Sequence, residues 1–327
     1  MSSYQLAVAV LAVSLACVTG VPAARADAKF PSRPITLINP FTPGGPIDIH
    51  LRVLAPQAEK VFGVSVVVDN KPGAGGTLGP ATMAATAKPD GYMLAEIGSS
   101  VLLLPLLQKT AFDTLKDFTY IINLSSYRYI VVVQKDSPWQ SWNELVADAR
   151  KNPGKLSYGS FGTNGAIHLA MEQIAAQQGV KFTHVPMRGA SEQVAGLMGG
   201  HIQFAPTGGL GYQMIEQGQF RALLTFTPGR NPRFPELPTL AEVGVKLDID
   251  VTTPYGLAGP RGMDPKIVKI LHDGFKKASE MPESREVLKK LEQEYFYLNS
   301  ADYTAHIKRQ IDAYRRSLDA MGSITKK

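Results

Sequence analysis

The residues in this sequence that could do chemistry are mostly main-chain amides in glycine-rich loops. Three such loops follow strand-like runs and precede helical ones: PFTPGGPID (40–48), NKPGAGGTLG (70–79) and YGSFGTNGAIH (158–168). A helix N-terminus presents free N–H groups and a partial positive charge, and glycine lets the backbone approach a ligand closely. The pattern favours binding of a carboxylate or a phosphate. Glycine serving turn geometry alone is the alternative interpretation of each loop.

The loops do not match the known nucleotide-binding motifs. GAGGTLG lacks the Gly-Lys-Ser/Thr ending of a P-loop and the G-x-G-x-x-G spacing of a dinucleotide site. Neither kind of nucleotide site is therefore predicted.

Reactive side chains give only weak signals of catalysis. Ser160 lies in GSFG, which is not the G-x-S-x-G nucleophile elbow. His168 and Glu172 are four residues apart and could share a metal, but a histidine that packs at a helix start is the simpler interpretation. Asp48 is either a first-turn acid that favours the helix dipole or a ligand contact. An enzyme is the weaker class, and no cofactor or metal is required.

The elements that must position these loops alternate between short β-rich runs and helical segments. Such alternation argues for an α/β fold on mostly parallel sheets. The first helix should begin at Pro46, where a missing N–H is harmless, and Pro56 should kink or split it. Its apolar stripe comprises Leu51, Leu54, Ala55, Ala58, Val61 and Phe62, and that of the C-terminal helix comprises Tyr303, Ile307, Ile311, Tyr314, Leu318 and Met321.

No low-complexity linker interrupts the chain, so two lobes joined by crossing strands are expected. The crossings are placed near Leu124–Tyr129 and near Val251–Gly259. Residues 27–125 together with 251–327 then form lobe 1, and residues 126–250 form lobe 2.

Composition and the N-terminus indicate an exported globular protein. The chain has 327 residues, 44% of them hydrophobic, and a net charge of +6 spread over scattered basic residues, which argues against nucleic-acid binding. The apolar run 6–18 is typical of a secretory signal, and residues 1–26 form a leader cleaved after Ala26. The charge-poor start leaves a misassigned start or a membrane-anchoring tail as alternatives. Cleavage would remove Cys17, which follows a poor lipobox.

The glycine loops also carry a family resemblance. PFTPGG and KPGAGG in this order, followed by LSYGSFGTNGAIH, HVPMRGA and PYGLAGPRGMDP, resemble the solute receptors of tripartite tricarboxylate transporters, the Bordetella uptake-gene type. The similarity covers essentially the whole chain after the leader. It implies a type II periplasmic binding protein, in which two α/β lobes enclose a ligand cleft.

The resemblance implies a function and a set of ligand-binding residues. The expected function is capture of a small aliphatic or aromatic carboxylate by a monomeric periplasmic receptor, with delivery to the integral membrane permease subunits. A sensor accessory and a Ser160-dependent hydrolase are the alternatives. The implied ligand-binding positions are Phe41, Pro43, Gly44, Gly45, Asp48, Ser99, Ser160, Thr163, Asn164, Gly165, His168, Arg188, Thr207 and Gly208.

Two polar residues depart from the family pattern. Gln203 stands in a strand where many members have an acid. Glu96 is expected to face solvent or to be paired. The alternative is a buried glutamate near the site, which would disfavour an anion or select for an amine.

Overall fold

The computed structural model describes residues 30–161, 163, 165–226, 229–231, 233–249, 251 and 254–320. The expected leader, Asn164 and Met321 lie outside these ranges. Within them, no helix is both long and apolar enough to cross a membrane.

The first sheet has six strands in the order β11-β4-β10-β3-β1-β2. Strand β1 pairs in parallel with β2 and β3, whereas β10 is antiparallel to both β3 and β4. Helices cover both faces, so β1 and β3 are buried almost throughout. The strand bounds are β1 (Ile35–Asn39), β2 (Val66–Asn70), β3 (Met93–Ile97), β4 (Phe118–Tyr127), β10 (Pro254–Pro260) and β11 (Gln293–Leu298).

The second sheet has five strands in the order β7-β6-β8-β5-β9. Strand β6 is parallel to β7 and β8, and β5 is antiparallel to β8 and β9. The bounds are β5 (Ile130–Gln134), β6 (Ser157–Phe161), β7 (Thr183–Met187), β8 (Phe204–Thr207) and β9 (Phe220–Thr225).

The helices fill the connections between strands and cover the sheets. The first-lobe helices are α1 (Pro46–Phe62), α2 (Leu78–Thr86), α3 (Ser99–Leu107), α8 (Pro265–Ser279), α9 (Pro282–Lys290) and α10 (Ser300–Ala320). Those of the second lobe are α4 (Trp142–Lys151), α5 (Ala166–Gln178), α6 (Ala190–Met198) and α7 (Gly209–Glu216). The two helix-covered sheets confirm the predicted α/β class with two lobes.

Helix α1 differs in one respect from its sequence-based prediction. Pro46 occupies the first turn as expected, but the helix continues through Pro56 to Phe62 without being split. Its buried face, which includes Leu51 and Leu54, packs in the core. This packing offsets the loss of one helical hydrogen bond, so tertiary contacts outweigh the local preference of proline.

The C-terminal helix α10 closes the first lobe with the apolar face that its periodicity predicts. Tyr303, Ile307 and Tyr314 are fully buried, as is Leu318, and Ile311 is nearly so. The helix packs against β4 and α3. It therefore supports the strand that leads from one lobe into the other.

The chain changes sheets where β4 ends and β5 begins, with only two residues between them. It returns to the first sheet through the segment that precedes β10. The carboxyl ends of β1, β3 and β6 lead directly into helices that face the space between the lobes. A ligand cleft in such a fold lies at these strand ends.

Candidate functional site

Helix N-termini from both lobes meet around one cavity in the cleft. Helices α1 and α3 come from the first lobe, and α5 and α6 from the second. Their N-cap residues are Gly45, Gly98, Gly165 and Gly189, and all four line a cavity of about 50 Å³. None of these helices has a side chain that caps its N-terminus.

This arrangement makes the cavity suited to a negatively charged group. The first amides of a helix have no acceptor within the helix, and its aligned dipoles place a partial positive charge there. A glycine cap leaves those amides uncovered. Helix ends directed at one cavity can together bind an anion, such as a carboxylate, without a lysine or an arginine.

The first glycine loop is itself held by hydrogen bonds within the protein. The amide of Phe41 donates to Asn39 Oδ1 at 3.1 Å, and the amide of Gly44 donates to Asp48 Oδ2 at 2.9 Å. These two amides are therefore occupied. The uncapped N-terminus of α1, which begins after Gly45, remains the part of the loop that faces the cavity.

Asp48 anchors this loop to strand β2 and to its own helix. It is 3% exposed, and it accepts hydrogen bonds from Arg52 Nε at 2.9 Å and Asn70 Nδ2 at 2.8 Å as well as from Gly44. Burial alone would raise the pKa of Asp48, but the hydrogen bonds from Arg52, Gly44 and Asn70 together lower it. The carboxylate stays ionised and fixes the shape of the loop.

Aromatic side chains from both lobes and from the crossing form much of the cavity wall. Phe41 of the first lobe faces Phe161 of the second, with ring centroids 6.1 Å apart. Tyr127 and Tyr129 at the crossing stack with centroids 5.7 Å apart. All four line the cavity. The site therefore combines polar helix ends with an apolar wall, as small-molecule sites usually do.

Ser160 pairs with a histidine, but away from the cavity wall. Its Oγ lies 2.9 Å from His184 Nε2, and the ring of His168 stacks on His184 with centroids 4.0 Å apart. Burial, assisted by the neighbouring His168, lowers the pKa of His184 to about 4. Ser160 is only 1% exposed. The pair therefore does not face the cavity.

His168 does not belong to a metal site in the described part of the chain. Its Nε2 lies 3.8 Å from Glu172 Oε1, and no third ligand completes a metal-binding group there. Packing against His184 accounts for its position.

Thr163 and Arg188 line a different, open groove together with the second glycine loop, Gly73–Gly76. The Arg188 guanidinium is directed at Glu192, with Nε 3.1 Å from Oε2. Thr207 ends strand β8, and Gly208 follows it as the N-cap of α7. A Cβ placed at Gly208 would lie 3.5 Å from Tyr127, so this position contacts a cavity residue from behind.

The structure thus brings together some of the sequence-predicted positions and separates others. The cavity wall includes Phe41, Gly45, Asp48, Ser99 and Gly165. It does not include Pro43, Gly44, Ser160, Thr163, His168, Arg188, Thr207 or Gly208. Sequence reasoning missed Gly98 and Gly189, for which a glycine between a strand and a helix was the available signal.

Glu96 lies on the cavity wall, and the expectation that it faces solvent or is paired is wrong. The residue is completely buried, and neither carboxyl oxygen has a hydrogen-bond partner in the described structure. Strand β3 has helices over both faces, so a side chain on either face is buried. Burial raises the pKa of Glu96 well above its ordinary value.

The two lobes touch at the mouth of the cleft. Ser191 Oγ of the second lobe donates to the carbonyl of Pro43 in the first lobe at 3.2 Å. A Cβ placed at Gly189 would lie 2.6 Å from Thr42 Oγ1. The lobes are therefore closed, and a solute larger than the small cavity requires them to separate.

Comparison with known proteins places this architecture in a family. The model of the tripartite tricarboxylate transporter family receptor matches residues 50–322. The UPF0065 protein in gbd 5'region of Cupriavidus necator is 44% identical over 317 residues, covering 97% of this chain and 95% of that protein.

Two solved structures share the fold over nearly their whole length. Periplasmic binding protein BugD gives a TM-score of 0.84 at 27% identity, covering 90% of this chain and 99% of that one. R. palustris Rpa4515 with adipate gives a TM-score of 0.83 at 26% identity, covering 90% and 98%. These matches confirm the resemblance and the predicted periplasmic-binding-protein fold. The chain is a periplasmic solute-binding protein and belongs to the tripartite tricarboxylate transporter receptor family.

Proposed function

We propose that this protein captures a small organic acid between its lobes and delivers it to the membrane permease of a tripartite tricarboxylate-type transporter. The observation that carries the proposal is the convergence of glycine-capped helix N-termini on one cavity. Such helix ends bind a carboxylate with amides alone. Neither a nucleophile nor a metal is needed, because nothing in the solute is cleaved.

Two further observations support a carboxylate solute. The aromatic wall suits an organic body, and the similar R. palustris Rpa4515 has a structure with adipate. The closed contact between Ser191 and Pro43 supports a mechanism in which closure encloses the solute. The closed surface is then the form that the permease recognises.

We also propose that the chain is exported and acts as a monomer. Residues 1–26 act as an export leader cleaved after Ala26. The mature chain works as a monomer, with residues 27–125 and 251–327 in one lobe and 126–250 in the other. Mass spectrometry of the secreted protein would determine the cleavage site, and light scattering would determine the oligomeric state.

A binding screen tests the proposed function directly. The purified protein is heated with aliphatic and aromatic mono- and dicarboxylates and with amino acids, and each hit is titrated by calorimetry. A ligand present at 100 times its Kd should stabilise the folded state by about 2.7 kcal/mol. If the folded, ligand-free protein binds none of these acids, carboxylate capture is excluded.

Transport needs a separate test. Cells lacking this receptor gene should lose uptake of the radiolabelled solute and regain it with the wild-type gene. Restoration should require the permease genes. Uptake that persists without the receptor would contradict a delivery role even if binding in vitro were tight.

A further inference from the structure

Glu96 is the polar group of the cavity that the proposed function leaves unexplained. It is the fourth residue of β3, opposite Leu257 of β10, and its carboxyl reaches the N-terminus of α3. A Cβ placed at Gly98 would lie 3.6 Å from Glu96 Oε1. The side chain is fully buried, lines the cavity and has no hydrogen-bond partner among the described residues. A buried carboxyl without a partner is costly, and native proteins keep such a group for a reason.

The titratable groups that surround Glu96 supply no positive charge. Tyr127 of β4, Tyr255 of β10 and Tyr303 of α10 have pKa values raised chiefly by burial, to which the charge of Glu96 contributes in each case. Asp48, the other acid on the cavity wall, is already paired with Arg52.

The histidine that packs on Tyr255 supplies no positive charge either. His50 packs on Tyr255 with ring centroids 5.0 Å apart, and burial lowers the pKa of His50 to about 3. No lysine, arginine or histidine lies on the described wall of the cavity. A positive partner for Glu96 must therefore come with the solute.

The cavity wall thus presents groups that favour opposite charges. The uncapped N-termini of α1, α5 and α6 favour a carboxylate, whereas Glu96, beside the N-terminus of α3, offers a second carboxylate no opposite charge. An ammonium group would instead give Glu96 an opposite charge and hydrogen bonds. The aromatic rings of Phe41, Tyr129 and Phe161 also line this cavity, and aromatic faces attract a cation.

We propose that the solute is an amino-carboxylate, with its carboxylate at the glycine-capped N-termini of α1, α5 and α6 and its protonated amine against Glu96. The inference rests on the proposed function and narrows its solute class. Glu96 becomes the residue that selects a zwitterion over a plain mono- or dicarboxylate of equal length. A dicarboxylate brings Glu96 no opposite charge and is repelled whenever Glu96 is ionised, and the missing ammonium leaves Glu96 unpaired when a monocarboxylate binds.

A matched ligand series tests this assignment by calorimetry. The probes are ω-amino acids of three to six carbons and their α-amino isomers, together with the monocarboxylate and the dicarboxylate of each length. The wild-type protein should bind at least one amino acid about tenfold or more tighter than both of its matched acids, a difference of about 1.4 kcal/mol. Glu96→Gln should remove that preference by weakening the amino acid selectively. Glu283→Gln, an exposed control on α9, should leave it unchanged.

Proton release provides a second measurement that a merely structural role would not affect. Burial raises the pKa of Glu96 and a neighbouring ammonium should lower it, so amino-acid binding should release a proton from Glu96. Calorimetry in buffers of different ionisation enthalpy counts that proton, and affinity for the amino acid should rise with pH. Glu96→Gln should abolish both effects.

The outcomes separate this inference from the proposed function. Binding of plain carboxylates at least as tightly as amino acids, or an unchanged preference in Glu96→Gln, overturns the amino-carboxylate assignment and leaves carboxylate capture standing. Plain-carboxylate affinity that falls as pH rises would show that Glu96 acts as a neutral hydrogen-bond donor instead. Failure of every acid to bind overturns the proposed function itself.

Discussion

Asp48 shows how one buried charge fixes the loop on which the site is built. Asp48→Asn should lower the free energy of unfolding at pH 7 by about 1–3 kcal/mol, because charge-assisted bonds from Gly44 and Arg52 are lost. The pKa of Asp48 is lowered on folding. The contribution of Asp48 to the free energy of unfolding is therefore complete above its unfolded pKa of about 3.9. It disappears as the pH falls through the lower pKa that Asp48 has in the folded protein. Urea denaturation of the wild type and the variant across this pH range should show that the difference in their free energies of unfolding disappears in acid.

Asp69→Asn is the matched control for this prediction. Asp69 is half-exposed on the neighbouring strand β2 and pairs only with Lys71 at 3.3 Å. Its replacement should change stability by no more than about 0.5 kcal/mol. Equal losses in the two variants would contradict the anchoring role of Asp48.

His50 should make the protein less stable as the solution becomes mildly acidic. Burial lowers the pKa of His50 to about 3, whereas an unfolded histidine titrates near 6.5. Between these two pKa values the unfolded chain binds more protons than the folded chain. The stabilisation that neutral His50 contributes is therefore complete above about pH 6.5 and is lost as pH falls toward 3. His50→Phe keeps a ring against Tyr255 and should flatten the stability curve in that window. Parallel denaturation curves for the two proteins would refute the assignment.

Side chains cap the N-termini of α4 and α8, but none caps the four helices that begin at the cavity. Helix α4 begins at Ser141, whose Oγ accepts the amide of Glu144 at 3.3 Å, while Glu144 Oε2 accepts the amide of Gln140 at 2.6 Å. This resembles a capping box, except that Glu144 accepts from the residue before the N-cap. The helices around the cavity have glycine at the same position. Helices α2, α7 and α9 also lack a side-chain cap, so the four helices at the cavity are distinguished by the cavity that their open ends share.

Gly45→Ser should therefore separate helix stability from solute binding. Gly45 has φ −77° and ψ 168°, which suits a capping serine, and a Cβ there would meet its nearest atom, Thr42 O, at 3.6 Å. The hydroxyl should occupy an amide of α1, raising stability by a few tenths of a kcal/mol. Solute affinity should fall by about tenfold, the equivalent of one hydrogen bond of about 1.4 kcal/mol. Thermal denaturation and calorimetry measure the two effects.

Ser141→Gly is the reverse substitution at a helix far from the cavity wall. It should lower stability by a few tenths of a kcal/mol and leave affinity unchanged. If Gly45→Ser also left affinity unchanged, the first helix end would not be part of the binding site.

The elements were more predictable from sequence than the site that they form. The β-rich runs that alternate with helical segments predicted the α/β class, and β1 and β5 are two such runs, because burial on a sheet leaves a local pattern. Strand β11 was not predicted, since its polar and aromatic residues lack a clear alternation. Whether a residue lines the cavity depends on how strands from distant parts of the chain align. Single glycines such as Gly98 and Gly189 therefore passed unnoticed, while Thr163 was included although it lies in another groove.

At the scale of the whole molecule, closure depends on small residues where the lobes meet. Gly189 begins α6 of the second lobe and faces Thr42 of the first glycine loop. Ser191 donates to Pro43 across the same boundary at 3.2 Å. Contacts of this kind can form only when the lobes approach closely, so added volume here should oppose closure without disturbing either core.

Gly189→Val should hold the lobes apart and weaken solute binding by about tenfold or more. A Cβ at Gly189 would lie 2.6 Å from Thr42 Oγ1 and 3.5 Å from Thr42 N, whereas its extended backbone, φ 171°, accepts any residue. The variant should therefore fold normally but fail to become more compact when solute is added, as measured by small-angle X-ray scattering. Thr42→Ala in the same chain removes the clashing hydroxyl and should restore part of the affinity. Valine could instead act by covering the amides of α6, and in that case Thr42→Ala would give no rescue. Full affinity in Gly189→Val alone would show that binding does not require this closed contact.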